Sequence, residues 1–233
     1  MRINAKRLPT LHRFPMVTST QDVARTLLET GRARCGHVVV ADEQTAGRGR
    51  HGRTWLSPAG GLYASLIVSP RPIPALACGV AIAHAFEALG VDVSLKWPND
   101  VELQGRKLAG ILIEAVNDLL LIGIGANLIE APLPGAISAR TIGREIRRAD
   151  LLLGIWQHLE GSDPKDVLPD YRRLCGTLGE RVRISREDGT AIEGIAEDVD
   201  EAGHLLVRVS DAVETIVSGT CEQLSTTESG RLD

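Results

Sequence analysis

Three apolar runs at residues 93–96, 108–116 and 119–125 follow one another with only short segments between them. A parallel strand pair needs a crossover of a dozen or more residues, usually a helix, and these segments are too short to hold one. The three strands must pair as antiparallel neighbours, so the sheet is at least partly antiparallel. Further strands are expected at 38–40 and 62–68. Residues 21–32 set Val23, Leu27 and Leu28 on one stripe of a helix, with Ser19 or Thr20 available as its cap. An alanine-rich helix is expected from about 75 to 89, and two more at 144–159 and 164–174. A strand-centred domain flanked by helices, without regular βαβ alternation, is an α+β fold. After Gly176 the texture changes to short β-branched runs broken by Asp188-Gly189 and Ala202-Gly203, the pattern of a small β-barrel. Two domains are therefore expected, residues 1–176 and 177–226, with a polar, frayed tail at 227–233.

A chain of 233 residues with 43% hydrophobic content can bury a sizeable core. No stretch approaches the roughly 20 apolar residues of a spanning helix, and the N-terminus lacks the apolar centre of a secretion signal. A soluble, cytoplasmic protein with no membrane partner is the expectation. Cys35, Cys78, Cys175 and Cys221 are far apart, with no CxxC pair and no histidine at metal spacing, and read as reduced core thiols. The net charge of −4 gives no general attraction to nucleic acid, yet Arg48, Arg50 and Arg53 crowd one short segment.

That segment, residues 44–55, reads QTAGRGRHGRTW. Glycines free the backbone to approach a ligand, while guanidinium forks suit phosphate or carboxylate oxygens. The spacing Gly47-x-Gly49-x-x-Gly52 also satisfies the dinucleotide fingerprint, but that motif must follow a strand directly and open a helix. Residues 42–46 precede it here, and Ser57, Pro58, Gly60 and Gly61 follow, so the Rossmann reading is rejected. On composition alone, a solvated basic loop or an RNA contact competes evenly with an anion site. Further on, Lys96-Trp97-Pro98-Asn99-Asp100 gathers a cation, an aromatic, an amide and a carboxylate at the end of a strand, and Lys107-Leu108-Ala109-Gly110 opens the next. A packed turn with a surface ion pair is the bland alternative. His51 is expected to be exposed, Trp55 to pack the base of the loop or face a nucleotide, and the other histidines to be core or surface residues.

Taken together, these segments resemble one family, the biotin–protein ligases. Ser19-Thr20-Gln21 resembles its Ser-Thr-Asn biotin motif, with Gln21 one methylene longer than the family Asn. Gly47-Arg-Gly-Arg-His-Gly-Arg-Thr-Trp55 is similar to its Gly-Arg-Gly-Arg-x-Gly-Arg-x-Trp loop, and Gly61-Leu62-Tyr63-x-Ser65 to the strand that follows. Lys96-Trp-Pro-Asn-Asp100 with Lys107-Leu-Ala-Gly-Ile-Leu112 resembles its central signature, and Gly123-Ile-Gly125-Ala-Asn127 its Gly-x-Gly-x-Asn turn. The resemblance is densest over residues 15–130 and implies a catalytic domain like class II aminoacyl-tRNA synthetases and lipoate ligases, followed by an SH3-like barrel. Only about eighteen residues precede Ser19, which implies a short form without the helix-turn-helix domain of repressor members, and hence no DNA partner.

The implied activity joins biotin to ATP as biotinyl-5'-AMP and then to a lysine of a carboxylase's biotin carboxyl carrier protein. The implied catalytic residues are Lys107, Arg48 and Arg50, which neutralise the meeting of carboxylate and α-phosphate. For biotin the resemblance implies Ser19, Thr20, Gln21 and Gln44 around the ureido head, with Gly47, Arg48, Gly49 and Arg50 from the loop, and Lys107 and Gly110 beside them. For the nucleotide it implies Arg50, Arg53, Trp55, Asn99, Asp100, Lys107 and Asn127. Mg²⁺ would bridge the phosphates, with no protein ligand identified for it. The loop is expected to close over the adenylate and exclude water. A lipoate ligase is the nearest rival, and a nucleic-acid-binding module the more distant one. Oligomeric state, a homodimer included, is left open by the sequence.

Overall fold

The computed structural model describes residues 8–186 and 188–224; the expected tail at 227–233 lies outside them. The first sheet is built from β1 (Thr10–Val17), β2 (His37–Gln44), β3 (Leu62–Val68), β4 (Ser94–Lys96), β5 (Asp100–Leu103), β6 (Arg106–Val116) and β7 (Leu119–Ala126). Its seven strands run in the order β1-β2-β3-β7-β6-β5-β4. β1 and β2 pair in parallel and every other neighbour pair is antiparallel. The mixed sheet expected from strand spacing is thus present.

β3 has all seven residues buried because both faces of the sheet are covered. On one face α1 (Thr20–Glu29) inserts Ala24 and Leu27 against Val39, Ile67 and Leu121. On the other lies α2 (Pro74–Ala88), apolar nearly all round, as a helix must be when it is enclosed on several sides. It is packed between the sheet and α3 (Arg148–Gly161) and α4 (Pro164–Leu174). Pro74 opens α2 and Pro164 opens α4, where a missing N–H costs no helical bond; the Asp163 carboxylate caps α4 by accepting from Lys165 N at 3.1 Å.

A second sheet follows, from β8 (Arg181–Ser185), β9 (Ala191–Val199), β10 (Leu205–Val209), β11 (Ala212–Ile216) and β12 (Thr220–Gln223). It is wholly antiparallel, in the order β11-β10-β9-β8-β12. Gly189 and Gly203 take the positive φ values, 84° and 85°, that its turns demand. Trp97 joins the two sheets. It is 1% exposed, its Nε1 donates to Gly203 O at 3.0 Å, and its backbone N–H donates to Thr177 Oγ1 at 3.1 Å.

Several expectations need correction. β1 and β5 carried no readable strand signal. β2, expected only at 38–40, runs from His37 to Gln44. Ser19 occupies the N-cap position of α1 but makes no side-chain capping bond. Cys35 is exposed, whereas Cys78, Cys175 and Cys221 are buried; all four are free thiols. Among the described residues, no helix is long and apolar enough to cross a membrane.

Candidate active site

A cavity of about 300 Å³ opens where the start of α1, the end of β2, the β4–β5 turn, β6, β7 and the first residues of β12 converge. Residues 47–55, expected as a loop, form a short hairpin across it. Trp55 N–H donates to Gly47 O at 2.9 Å and Gly49 N–H to Arg53 O at 2.7 Å, with His51 at the tip in left-handed conformation, φ 53°. Gly47 admits no side chain, since a Cβ there would stand 2.4 Å from Trp55 O.

The end of the cavity at α1 is neutral and closely hydrogen-bonded. Gln44 Oε1 accepts from Thr20 N at 2.8 Å and from Thr20 Oγ1 at 3.2 Å, and Gln44 Nε2 donates to Ser57 Oγ at 2.8 Å. Ser65 Oγ donates to Thr20 Oγ1 at 2.9 Å. Gln21 is 3% exposed; its Nε2 lies 3.2 Å from Glu114 Oε2, and its Oε1 is buried with no partner. Within the Ser-Thr-Gln motif, Thr20 and Gln21 are thus fixed by hydrogen bonds to the rest of the protein.

Missing side chains shape the floor. Gly110 and Gly125 are directly opposed across β6 and β7, and the Trp55 indole lies over them. A Cβ on Gly125 would stand 2.4 Å from Trp55 Cε2, one on Gly110 3.0 Å from Trp55 Cζ3, and one on Gly123 3.1 Å from Gln21 Cδ. Lys107 Nζ sits 5.5 Å from the indole centroid, a cation–π distance. Trp55 Nε1 is buried without a partner.

The opposite end is cationic. Arg50, Arg53, Lys96 and Lys107 line it, Arg48 lines the cavity beside α1, where it meets Asp22 and Glu114, and Asp100 is the only carboxylate among the lining residues. Lys107 Nζ pairs with Asp100 at 2.7 Å, Lys96 Nζ with Glu102 at 3.1 Å, and Arg50 Nη1 donates to Asn99 Oδ1 at 3.0 Å. Arg53 Nη2 reaches Thr220 Oγ1 in the second sheet at 2.9 Å. Burial pushes the lining Cys221 thiol up to about 12, so it stays protonated and inert. Such a site can bring two anions together beside a neutral recognition pocket.

Of the residues expected at the site, Ser19, Thr20, Gln21, Gln44, Arg48, Gly49, Arg50, Arg53, Trp55, Asn99, Asp100, Lys107 and Gly110 all line this cavity. Gly47 and Asn127 are outside the lining: Gly47 closes the base of the hairpin, and Asn127 is a buried residue whose N–H donates to Leu108 O at 2.9 Å. Reading the sequence missed Asp22 and Glu114, which hold Arg48, and Thr220, which meets Arg53. None carries a motif signal, because each contact joins distant segments. His51 is exposed as expected, but other histidines have partners: His12 with His37 at 2.9 Å, His84 with Asp170 at 3.1 Å, and His204 with Asp200 at 3.0 Å.

Fold and site fall into one class of enzyme. The model of the biotin/lipoate A/B protein ligase family matches residues 13–127, and that of the biotin protein ligase C terminal domain matches residues 177–223. The chain is similar to the biotin–[acetyl-CoA-carboxylase] ligase of Mycobacterium tuberculosis, with 33% identity over 79% of this chain and 77% of that protein. Among solved structures it is similar to the Aquifex aeolicus biotin protein ligase in complex with biotin and ATP. The TM-score is 0.82 at 29% identity, covering 92% of this chain and 99% of that one. A Leishmania major biotin protein ligase in complex with biotinyl-5-AMP gives a TM-score of 0.67 at 33% identity, covering 94% and 99%. This chain belongs to the biotin protein ligase family.

Proposed function

We propose that this chain is an ATP-dependent biotin–protein ligase acting on a biotin carboxyl carrier protein. The observation that carries this reading is the polarity of one cavity: a rigid, neutral pocket at Ser19–Gln21 and Gln44, a glycine floor, and a concentration of cations at the far end. Biotin has the matching form, an uncharged ureido head, an apolar chain and a terminal carboxylate. One carboxylate oxygen attacks the α-phosphorus of ATP, pyrophosphate leaves, and a mixed anhydride forms. The acceptor lysine's neutral amine then attacks the acyl carbon; AMP departs, an amide forms and the amine proton is released. Lys107 and Arg50 would hold the carboxylate and α-phosphate in contact despite their repulsion, and Arg53, Asn99 and Asp100 would steady the nucleotide. The arginine hairpin already spans the cavity and would shield the anhydride from water.

Among the described residues no three His, Cys, Asp or Glu side chains converge on a point, so a closed protein cage for a metal is lacking. That suits Mg²⁺, which is commonly carried by substrate phosphates and water with one or two carboxylates. Asp100, the carboxylate in the cavity lining, would be the side chain to assist, and the ion would supply further charge neutralisation at the phosphates.

Because the first family model spans both biotin and lipoate ligases, the deciding experiment measures pyrophosphate release with ATP and either acid. Release with biotin, followed by labelling of a carrier protein, is the expected result. Release with lipoate alone, or with neither acid, refutes the proposal.

A further inference from the structure

Resting on that reading, we propose that Glu114 is a positioning residue that couples the arginine hairpin to the biotin-reading end of the cavity. Glu114 lies on β6 opposite Leu121 of β7, on the face that meets α1. Its Oε2 accepts from Gln21 Nε2 at 3.2 Å, from Arg25 Nη2 at 3.3 Å and from Arg48 Nη2 at 3.3 Å; its Oε1 accepts from Arg48 Nη2 at 3.2 Å. One carboxylate thus fastens an α1 side chain that lines the cavity and the first limb of the hairpin.

Two physical consequences follow. The first concerns Gln21. Its Nε2 faces the Glu114 carboxylate and lies 3.5 Å from the carbonyls of Leu112 and Leu121, so every neighbour on that side is an acceptor. A flipped amide would set oxygen against oxygen, so the carboxylate, the nearest of these acceptors, sets with the two carbonyls which way the amide faces. Gln21 Oε1 is left buried without a donor, an acceptor suited to an N–H group such as those of a cyclic urea.

The second concerns Arg48. Its guanidinium is divided between Asp22, at 2.5 Å from Nη1, and Glu114. With both forks of the guanidinium engaged by protein carboxylates, Arg48 anchors the base of the hairpin.

Asp22 touches Arg48 but does not share Gln21's hydrogen bond, and this separates the two effects. Steady-state pyrophosphate release, together with biotin attachment to added serum albumin, should be measured for the wild-type chain, Glu114→Gln, Asp22→Asn and Arg25→Gln. Wild-type turnover of biotin and ATP tests the underlying function independently. We expect Glu114→Gln to raise the KM for biotin about tenfold, while the KM for ATP stays within about twofold, and to increase albumin labelling per pyrophosphate. Asp22→Asn should increase albumin labelling with the biotin KM unchanged, and Arg25→Gln should match wild type in both. A Glu114→Gln enzyme with wild-type biotin KM and labelling, or one whose ATP and biotin KM rise together, overturns the proposal. If Glu114→Gln does not fold, Asp22→Asn still tests the anchoring: unchanged labelling there sinks it.

Discussion

Gly125→Ala tests how closely the cavity floor is fitted to its ring. The added Cβ would stand 2.4 Å from Trp55 Cε2 and Nε1 and 2.8 Å from Cζ2, whereas carbon atoms in contact prefer about 3.5–4.0 Å. The backbone has little room to yield, because β7 lies between β3 and β6 and Gly125 is paired with Tyr63 and Gly110. The indole must therefore withdraw by roughly 1–1.5 Å, carrying with it the surface over which Lys107 Nζ rests. Overpacking of this kind costs about 1–3 kcal/mol. A displacement of about 1 Å in a positioning group can reduce the rate about a hundredfold, or about 2.7 kcal/mol. We expect pyrophosphate release to fall by that order in Gly125→Ala, and by about tenfold or less in Gly110→Ala, whose Cβ would meet Trp55 at a milder 3.0 Å. Tryptophan emission supplies a second readout, since Trp97 and Trp156 are 1% and 5% exposed and should be insensitive to the change. The decisive measurement is a double-mutant cycle with Trp55→Ala. If the clash is the cause, Gly125→Ala should add little once the ring is gone. Full additivity, or a Gly125→Ala enzyme with wild-type rate and emission, would refute the argument.

Other outcomes are equally accessible. Lys107→Ala should lower adenylate formation by at least about a hundredfold, the usual order for removing an electrostatic stabiliser. Its side chain is 39% exposed, so melting temperature should barely change; normal pyrophosphate release would refute its role. Arg50→Gly removes the bond to Asn99 and loosens the tip of the hairpin, so added bystander proteins should become labelled; intact acceptor selectivity would contradict the lid. Alkylation of native protein at pH 8 should modify Cys35 first, because burial pushes Cys78 and Cys221 up to about 12. Stability should follow the same groups, because the folded state retains protons that the unfolded chain loses. It should be undiminished by these thiols below their ordinary value of 9.0, then decline as pH rises from there towards 12, with Tyr63 contributing from 10.0 upward. A flat denaturant midpoint between pH 9 and 11 would count against this.

The parts of this molecule that sequence reading recovered are those written in short stretches of chain. β3 and α2 are uniformly apolar because they are enclosed on both sides, and β6 and β7 are joined so tightly that antiparallel pairing was the only choice. β1 escaped notice because it is an edge strand. His12, Arg13 and Pro15 interrupt any apolar alternation, and Pro15 is tolerated since an edge strand can leave an N–H position unpaired. β5 is only four residues long and begins with the charged Asp100. The arginine segment was legible as chemistry but not as a hairpin, because its cross-bonds depend on Arg50–Gly52 turning with His51 left-handed, which glycine would favour and histidine does not announce. Least legible were Asp22, Glu114 and Thr220, ordinary polar residues whose importance comes only from what the fold sets beside them.

The bond from Arg53 to Thr220 closes a separation of 167 residues along the chain. While the polypeptide emerges from its N-terminus, the first sheet can be complete long before the partner for that guanidinium has been made. The cavity then lacks the wall supplied by Gly219, Thr220 and Cys221. A chain clipped before its last strand would thus keep its recognition pocket yet hold its reactive product in an unsealed vessel. On the proposed function, retention of the activated vitamin would in this way be deferred until synthesis is almost finished.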